Sequence, residues 1–502
     1  MVGRSKYQTF SYIKDGVWKK IQGWKGKLLS RAGKEILIKA VAQSIPTYIM
    51  GVFQLPMKLC EELNAMCAWF WWGQIDNERK IHWKKWSVLA QSKKEGGMGF
   101  RDLHNFNLAI LAKQGWRLLQ RQESLVYKCF KAKYFPHGTF LEAMDVPNSS
   151  YIWKSLLAAQ PILRKGGCWR VGNGSSIRVT KDSWIPNHPT HKVLHPPHVE
   201  EWEWRVSDLI DWWVKAWDRE LIVDAFHRKD AEAILRIPLS HRLVSDAMIW
   251  LHTKSGEYMV RSRYHIAQLI QKQEKDVGES SKLEGGSQVW AKVWKMKVPN
   301  KIRVFAWRAC QNILPTRENL FHRKVALDAY CERCNQAPES VLHVLWECGA
   351  AQDVWAGGPR RLQKVGTEHR DFMQLIGDLI LRLSEEELEL FWVHCWLIWN
   401  HRNMVLHGGK AQDPSRLNSR ASDLLDEFKA SQVQLAVHTN RVNVQTWCPP
   451  SGNLYQLNFD AIVFTDTVSS GFGAVIRNNT GAVMAALSVK GPPVSSNEEA
   501  EV

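Results

Sequence analysis

The stretch from Cys331 to Cys348, CERCNQAPESVLHVLWEC, constrains this chain more than any other. Two residues separate Cys331 from Cys334, eight separate Cys334 from His343, and four separate His343 from Cys348. A Cys-x-x-Cys pair can aim two thiolates at one ion from a tight turn. His343 and Cys348 can complete a tetrahedron from a short helix or its end. Three sulfurs and one imidazole fill a zinc shell and leave no position for a catalytic water, so the expected role is structural. The competing reading is ordinary buried or free thiols. Four ligand-type residues within eighteen, in a chain with ten cysteines, weigh against it. The eight-residue gap calls for a small domain with its own helix.

A chain of 502 residues has room for about three domains. The net charge of +17 points to an anionic partner. The excess is spread along the chain, which favours nucleic acid over a polybasic membrane anchor. No apolar run reaches membrane-spanning length, and the N-terminus, MVGRSKYQTFSYIKDG, has no apolar signal core. The remaining cysteines are too sparse for a disulfide scaffold, so reduced thiols and an intracellular setting, nuclear or cytoplasmic, are expected. Many of the 26 tryptophans adjoin a cation, as in Trp83-Lys84, Trp116-Arg117 and Trp307-Arg308. Such pairs can stack on bases and contact phosphates, although most tryptophans are expected in the core.

Apolar spacing predicts helices over about 30–50, capped by Ser30, over 59–72, stopped by Gly73, and over 105–134. The GGMG at 96–99 reads as a turn needing positive φ, not a phosphate loop. Residues 169–179 predict a hairpin turning at Gly172-Asn173-Gly174. His188, His191, His195 and His198 have irregular spacing and no evident carboxylate partner, so a metal site is not expected there. Residues 271–287 and 411–452 read as linkers. Ser384 and Glu387 form an expected capping box for a helix that runs to Gly408. His394, Cys395, His401 and His407 lie within it, and packing roles are expected for them. A final segment, 453–502, predicts three strands with a turn at Asn478–Gly481 and then a helix start.

The cysteine-bearing module, 288–360, carries cations outside its apolar stripes. Lys297, Lys301, Arg303 and Arg308 surround one predicted helix, and Arg317, Arg323 and Lys324 belong to the next. Phosphate binding is one use of such surfaces, and a solvated face is the other.

Several stretches resemble the C-terminal half of the polyprotein of plant-type non-LTR (LINE) retrotransposons. They include LLSRAGKEILIKAVAQSIPTY at 28–48, FWWG at 70–73 and KKEGGMGFRDLHNFNLAILAKQGWRLL at 93–119. KYFP at 133–136, SSYIWKSLL at 149–157 and WRVGNGSSIRV at 169–179 continue the match. The segment 293–324 with its Cys/His cluster resembles the reverse-transcriptase zinc-binding domain, and WLIWNHRN at 396–403 the helix that follows it. LNFDAIVF, GFGAVIRNNTG and EEAEV resemble the opening of a type-1 ribonuclease H.

The resemblance implies a multidomain α+β chain. Residues 1–165 would form a thumb-like helical region and 166–270 a mixed α/β region. After a linker at 271–287 would come the small helical zinc-binding module. A helical connector over 370–410, a linker over 411–452 and an incomplete ribonuclease H-like α/β end would follow. The polymerase palm needs a Tyr-x-Asp-Asp strand, and no Asp-Asp pair occurs here. Of the four carboxylates that hold Mg²⁺ in the ribonuclease H family, Asp460 and Glu501 have matching positions and two do not. The expectation is therefore a Zn²⁺-organised binder of RNA, DNA or RNA–DNA hybrid without nuclease turnover, its oligomeric state open. An active ribonuclease H, a non-functional relic and a protein-interaction module are the alternatives.

Overall fold

Ser30 shows how closely the first helices follow their local signals. Its hydroxyl accepts from the Gly33 amide at 3.2 Å and starts helix α1, Arg31–Leu37. The single helix expected over about 30–50 is broken, however: a π-helical turn, Ile38–Ala42, follows, and a separate short helix, Thr47–Met50, begins after Pro46. Helix α2, Met57–Trp72, buries Leu59, Leu63, Cys67 and Trp71 and ends at Gly73 with φ +77°. The structure is a computed structural model. It describes residues 5–24, 29–73, 80–186, 188–195, 204–240, 242, 244–253, 255–275, 286–358, 361–362, 369–438, 449–450, 452–464 and 469–491.

The helix expected over 105–134 is two helices, α3, Leu103–Gln120, and α4, Leu125–Tyr134. Ser124 divides them because its hydroxyl caps the Tyr127 amide at 3.2 Å. The hairpin expected over 169–179 does not form. Strand β1, Gly167–Arg170, pairs antiparallel with β2, Ala247–Trp250. The Gly172–Ser176 loop wraps instead around the Asp246 carboxylate, which accepts from the amides of Gly172, Gly174 and Ser176 at 2.8–2.9 Å. Residues 177–179 bond to 204–206.

Helix α5, Val260–Lys275, runs into the segment expected to be a linker, and α6 begins at Gly286 and ends at Lys295. Residues 276–285 lie outside the described residues. The module continues with α7, Asn300–Cys310, and α8, Arg317–His322. After the ligand segment come α9, Gly349–Ala356, α10, Phe372–Arg382, and α11, Glu385–Leu406. The expected capping box starts α11, with Ser384 and Glu387 satisfying each other's amides.

The expected linker over 411–452 contains α12, Pro414–His438. Leu417, Ala421 and Leu425 recur every four residues along it and are buried, which is why this polar segment is a helix.

One apolar core runs through the described residues from Phe10 to Leu425 and takes in both the first helices and the cysteine-bearing module. The GGMG turn is a joint in it. Gly96 has φ +85°, and its carbonyl accepts from Trp307 Nε1 and Gln311 Nε2, each at 2.8 Å. A second core surrounds Trp153 and Trp250, and a third surrounds Trp184, Ile177 and Ile222. Trp116 and Trp307, expected as possible stacking groups, are buried.

The chain divides into residues 1–428 and 429–502. In the second unit β3, Gln456–Phe464, β4, Ser469–Arg477, and β5, Val483–Gly491, form an antiparallel meander. Asn478 closes the expected turn by accepting from the Thr480 and Ala482 amides. The fold is mixed α and β. Among the described residues no helix is long and apolar enough to cross a membrane.

Candidate metal centre and nucleic-acid interface

Cys331 and Cys334 sit on a turn closed by the Asn335 amide bonding the Cys331 carbonyl at 2.8 Å. Asn335 takes the left-handed conformation at φ +55°. His343 begins a single π-helical turn, His343–Glu347, and the Cys348 amide bonds back to its carbonyl at 2.8 Å. In an α-helix, residues five apart would point about 140° from each other. The wider turn brings both ligands to one side. Cys348 then leaves the helical path, at φ −58° and ψ 135°, and starts α9.

The four ligand atoms lie within 4.8 Å of one another. Cys331 Sγ stands 4.0 Å from Cys348 Sγ, and Cys334 Sγ 3.4 Å from His343 Nε2. Tetrahedral zinc with ordinary bond lengths needs sulfur–sulfur edges of about 3.8 Å and slightly shorter sulfur–nitrogen edges, so the donor set fits. The hydrogen bond from Cys348 holds the Cys331 thiol low, at about 3, while Cys348 is pushed up as the proton holder. Hydrogen bonding to Cys331 and then to Cys334 raises His343. One cation would relieve this crowding of acids by displacing their protons. On the far side of the ring, His343 Nδ1 lies 4.0 Å from Glu347 Oε2. This carboxylate one turn after a ligand histidine was missed from the sequence, and its spacing is the signal that could have found it.

The expected phosphate-binding cations are in different environments. Lys297, Lys301, Arg323 and Lys324 are exposed. Lys301 Nζ lies 4.6 Å from the Trp396 ring, and the Arg323 guanidinium 5.9 Å from Trp83. Arg303 and Arg308 are half-buried rather than on an outer face, because α7 is packed on most sides. Arg317 is engaged by Asp328 at 3.0 Å and by Glu332, which offsets its charge.

The histidine-rich loop has the carboxylate partner that the sequence hid. Asp230, fully buried, meets His188 Nε2 at 3.0 Å and His195 Nδ1 at 3.2 Å. His198 and Glu501 lie outside the described residues. Asp460 is exposed on β3, opposite Gly473 on β4, and a side chain at Gly473 would meet open space. On the other face of the meander, Phe459, Ala474 and Leu487 align, with Phe459 and Leu487 exposed.

A family described as zinc-binding in reverse transcriptase matches residues 258–355, from Tyr258 through the four ligands to Trp355. An Arabidopsis thaliana protein named "Putative ribonuclease H protein" is 26% identical over 493 residues, 95% of this chain and 78% of its own length. An uncharacterized mitochondrial protein of Arabidopsis thaliana is 37% identical over 143 residues, 28% of this chain and 93% of its own length. With the Cys/His cluster inside the matched domain, near its C-terminal end, these likenesses show that the chain belongs to the plant LINE-type reverse-transcriptase family.

Proposed function

We propose that this chain is a nucleic-acid-binding part of a retroelement polyprotein. Cys331, Cys334, His343 and Cys348 hold a structural Zn²⁺, and that centre organises a cationic platform. The partner is RNA, DNA or an RNA–DNA hybrid, bound through its phosphates with little base preference. Residues 1–165 act as a thumb-like grip beside the zinc-binding domain. The convergence of the four ligand atoms within 4.8 Å, on a module that exposes Lys297, Lys301, Arg323 and Lys324, carries the reading. The test is elemental analysis of the purified chain together with binding of a labelled hybrid over a salt series. One zinc per chain and an affinity that falls steeply with salt are expected. A metal-free chain with freely alkylated thiols, or a salt-independent affinity, would overturn it.

A second reading is hydrolysis of RNA–DNA hybrids, favoured by the name of the longer Arabidopsis relative and by Asp460 on its strand. Asp460 and Glu501 would share Mg²⁺ there. No turnover is the outcome expected of the first reading, in which the chain holds the hybrid without cutting it. Hybrid cleavage in Mg²⁺ that is lost in Asp460→Asn would establish the second reading instead.

A further inference from the structure

Two cations of α1 reach the C-terminal end of α2, and a third, Arg308, lies on the helix packed against α1, next to Trp307, whose ring is 6.4 Å from Trp71. Arg31 and Lys34, about one turn apart on α1, both reach that end. Arg31 Nη1 donates to the Trp71 carbonyl at 3.1 Å, and its guanidinium lies 5.7 Å from the Trp71 ring and 5.4 Å from the Trp72 ring. Lys34 Nζ lies 5.3 Å from the Phe70 ring. It is also 3.0 Å from where a Cβ on Gly73 would stand. The left-handed glycine that ends α2 thus leaves room for the ammonium.

Arg308 enters from α7, which packs against α1. Its Nε is buried with no hydrogen-bond partner, and its Nη2 makes only a long bond, 3.4 Å, to the Ile313 carbonyl. Burial pushes Arg31 down to about 10. Burial and then the charge of Arg31 push Arg308 down to about 9 and lower Lys34. Among the described residues, none of the three pairs with a carboxylate.

Capping the carbonyls of α2 accounts for only part of this charge. A helix C-terminus carries about half a negative charge, against three positive ones. All three side chains are half-buried, so solvent screens them less than a surface cluster. An arrangement of this kind is completed by an anion. Guanidinium forks suit phosphate oxygens, and an ammonium adds a point charge.

We propose that Arg31, Lys34 and Arg308 form a pocket for one backbone phosphate of bound nucleic acid. The identity of the polymer rests on the function proposed above, whereas the pocket's preference for phosphate does not. The surface continues beyond the pocket. Trp72 lies 6.3 Å from the His82 ring, and Lys84 is lowered by burial and then by Arg323 beside Trp83. Beside these cations, the exposed His82 and the half-buried Trp83 offer rings on which bases can stack, whereas Trp71 and Trp72 are buried and serve only to seat Arg31. The pocket exists only while α7 is docked on α1.

The test uses the full zinc-loaded chain and two probes. With inorganic phosphate, the wild type should melt higher than in chloride at matched ionic strength. Arg308→Gln should lose that shift without melting lower in chloride. With a labelled RNA–DNA hybrid, Arg308→Gln and Lys34→Gln should each weaken binding about tenfold and reduce the salt slope by about one. Lys34→Gln guards against a folding defect, because Lys34 makes no hydrogen bond to the helix end. A phosphate shift that Arg308→Gln abolishes, in a chain that binds no hybrid, would uphold the pocket and overturn the wider function. Steep salt-dependent hybrid binding that neither variant alters, with phosphate no better than chloride, would overturn the pocket alone.

Discussion

Glu339 and Arg402 form a buried ion pair that ties the ligand turn to α11. Arg402 Nε donates to Glu339 Oε1 at 2.9 Å, Nη2 bonds the other oxygen, and the side chains are 2% and 6% exposed. Glu339 Oε2 also accepts from the Arg317 amide at 2.8 Å, so one carboxylate fixes α8, the turn and α11 together. Removing one partner of such a pair leaves a buried charge unmatched. Glu339→Ala should cost about 3–5 kcal/mol in urea unfolding. Glu339→Met with Arg402→Met should recover part of that loss. A double variant as unstable as the single would show that the pair supplies more than mutual neutralisation.

Zinc removal should act locally first. Cys334→Ser should strip hydrogen-exchange protection from about 315–355, because structural zinc supplies on the order of 10 kcal/mol to its own segment. Leu345 and Trp346 are buried beside the ligands and belong to the large core, so the loss should also lower the overall melting temperature. Native protection in this variant would mean that metal does not hold the turn.

The glycine turn offers a test that involves no metal. A Cβ at Gly96 would lie 2.8 Å from the Trp290 ring, at φ +85°, and one at Gly97 would lie 2.1 Å from the Gln91 carbonyl oxygen. Gly97→Ala should destabilise by about 2 kcal/mol or more, since backbone must move. Gly96→Ala should additionally disturb the Trp307 and Gln311 bonds to the Gly96 carbonyl. Unchanged urea midpoints for both would contradict this packing.

What could be read in the chain beforehand was what neighbouring residues decide. The ligand spacing, the Ser30 cap, the Ser384–Glu387 box and the turn at Asn478 all lie within a few residues of the groups they satisfy. The misread segments depend on distant partners. Gly172-Asn173-Gly174 carries a hairpin signal, but Asp246, more than seventy residues away, takes its amides. The polar composition of 411–452 concealed three apolar positions at helical spacing. Glu339 and Arg402, 63 positions apart, are ordinary surface types by composition, and only the fold brings them together. Within the candidate site, the ligand set was local, whereas the burial of Arg308 and the pairing of Arg317 were set by packing.

Arg263 should be a liability that substitution can relieve. Its side chain is fully buried, and none of its three nitrogens has a hydrogen-bond partner. Its guanidinium lies 4.0 Å from the Trp250 ring and 5.8 Å from Trp116, in contact with Tyr258. Burial pushes the guanidinium down to about 8. Ring contacts offset roughly 2 kcal/mol or more of such a charge, less than the several it costs to bury one. Arg263→Met should therefore raise stability by about 1–4 kcal/mol. A loss on substitution would show that the aromatic cage matches the cation.

Acid sensitivity should arise from His394 and His401 on α11. His394 is 2% exposed, with Nδ1 2.9 Å from the Leu390 carbonyl. His401 Nε2 accepts from the Gln412 amide at 2.8 Å, which requires that nitrogen to be unprotonated. Burial lowers both, and for His401 the charge of Arg333 adds to it. The native rings thus stay neutral at pH values where the unfolded chain, near 6.5, begins to bind protons. Stability is then lost as pH falls through about 6.5, and the loss continues until the native rings protonate. Each ring can contribute up to about 1.4 kcal/mol per pH unit in that window. Zinc release is also proton-linked, so melts from pH 7 to 5 need metal retention followed alongside them. His394→Leu should flatten the profile while zinc stays bound. A profile as steep as that of the wild type would mean that the His394 ring is not held neutral in the folded chain.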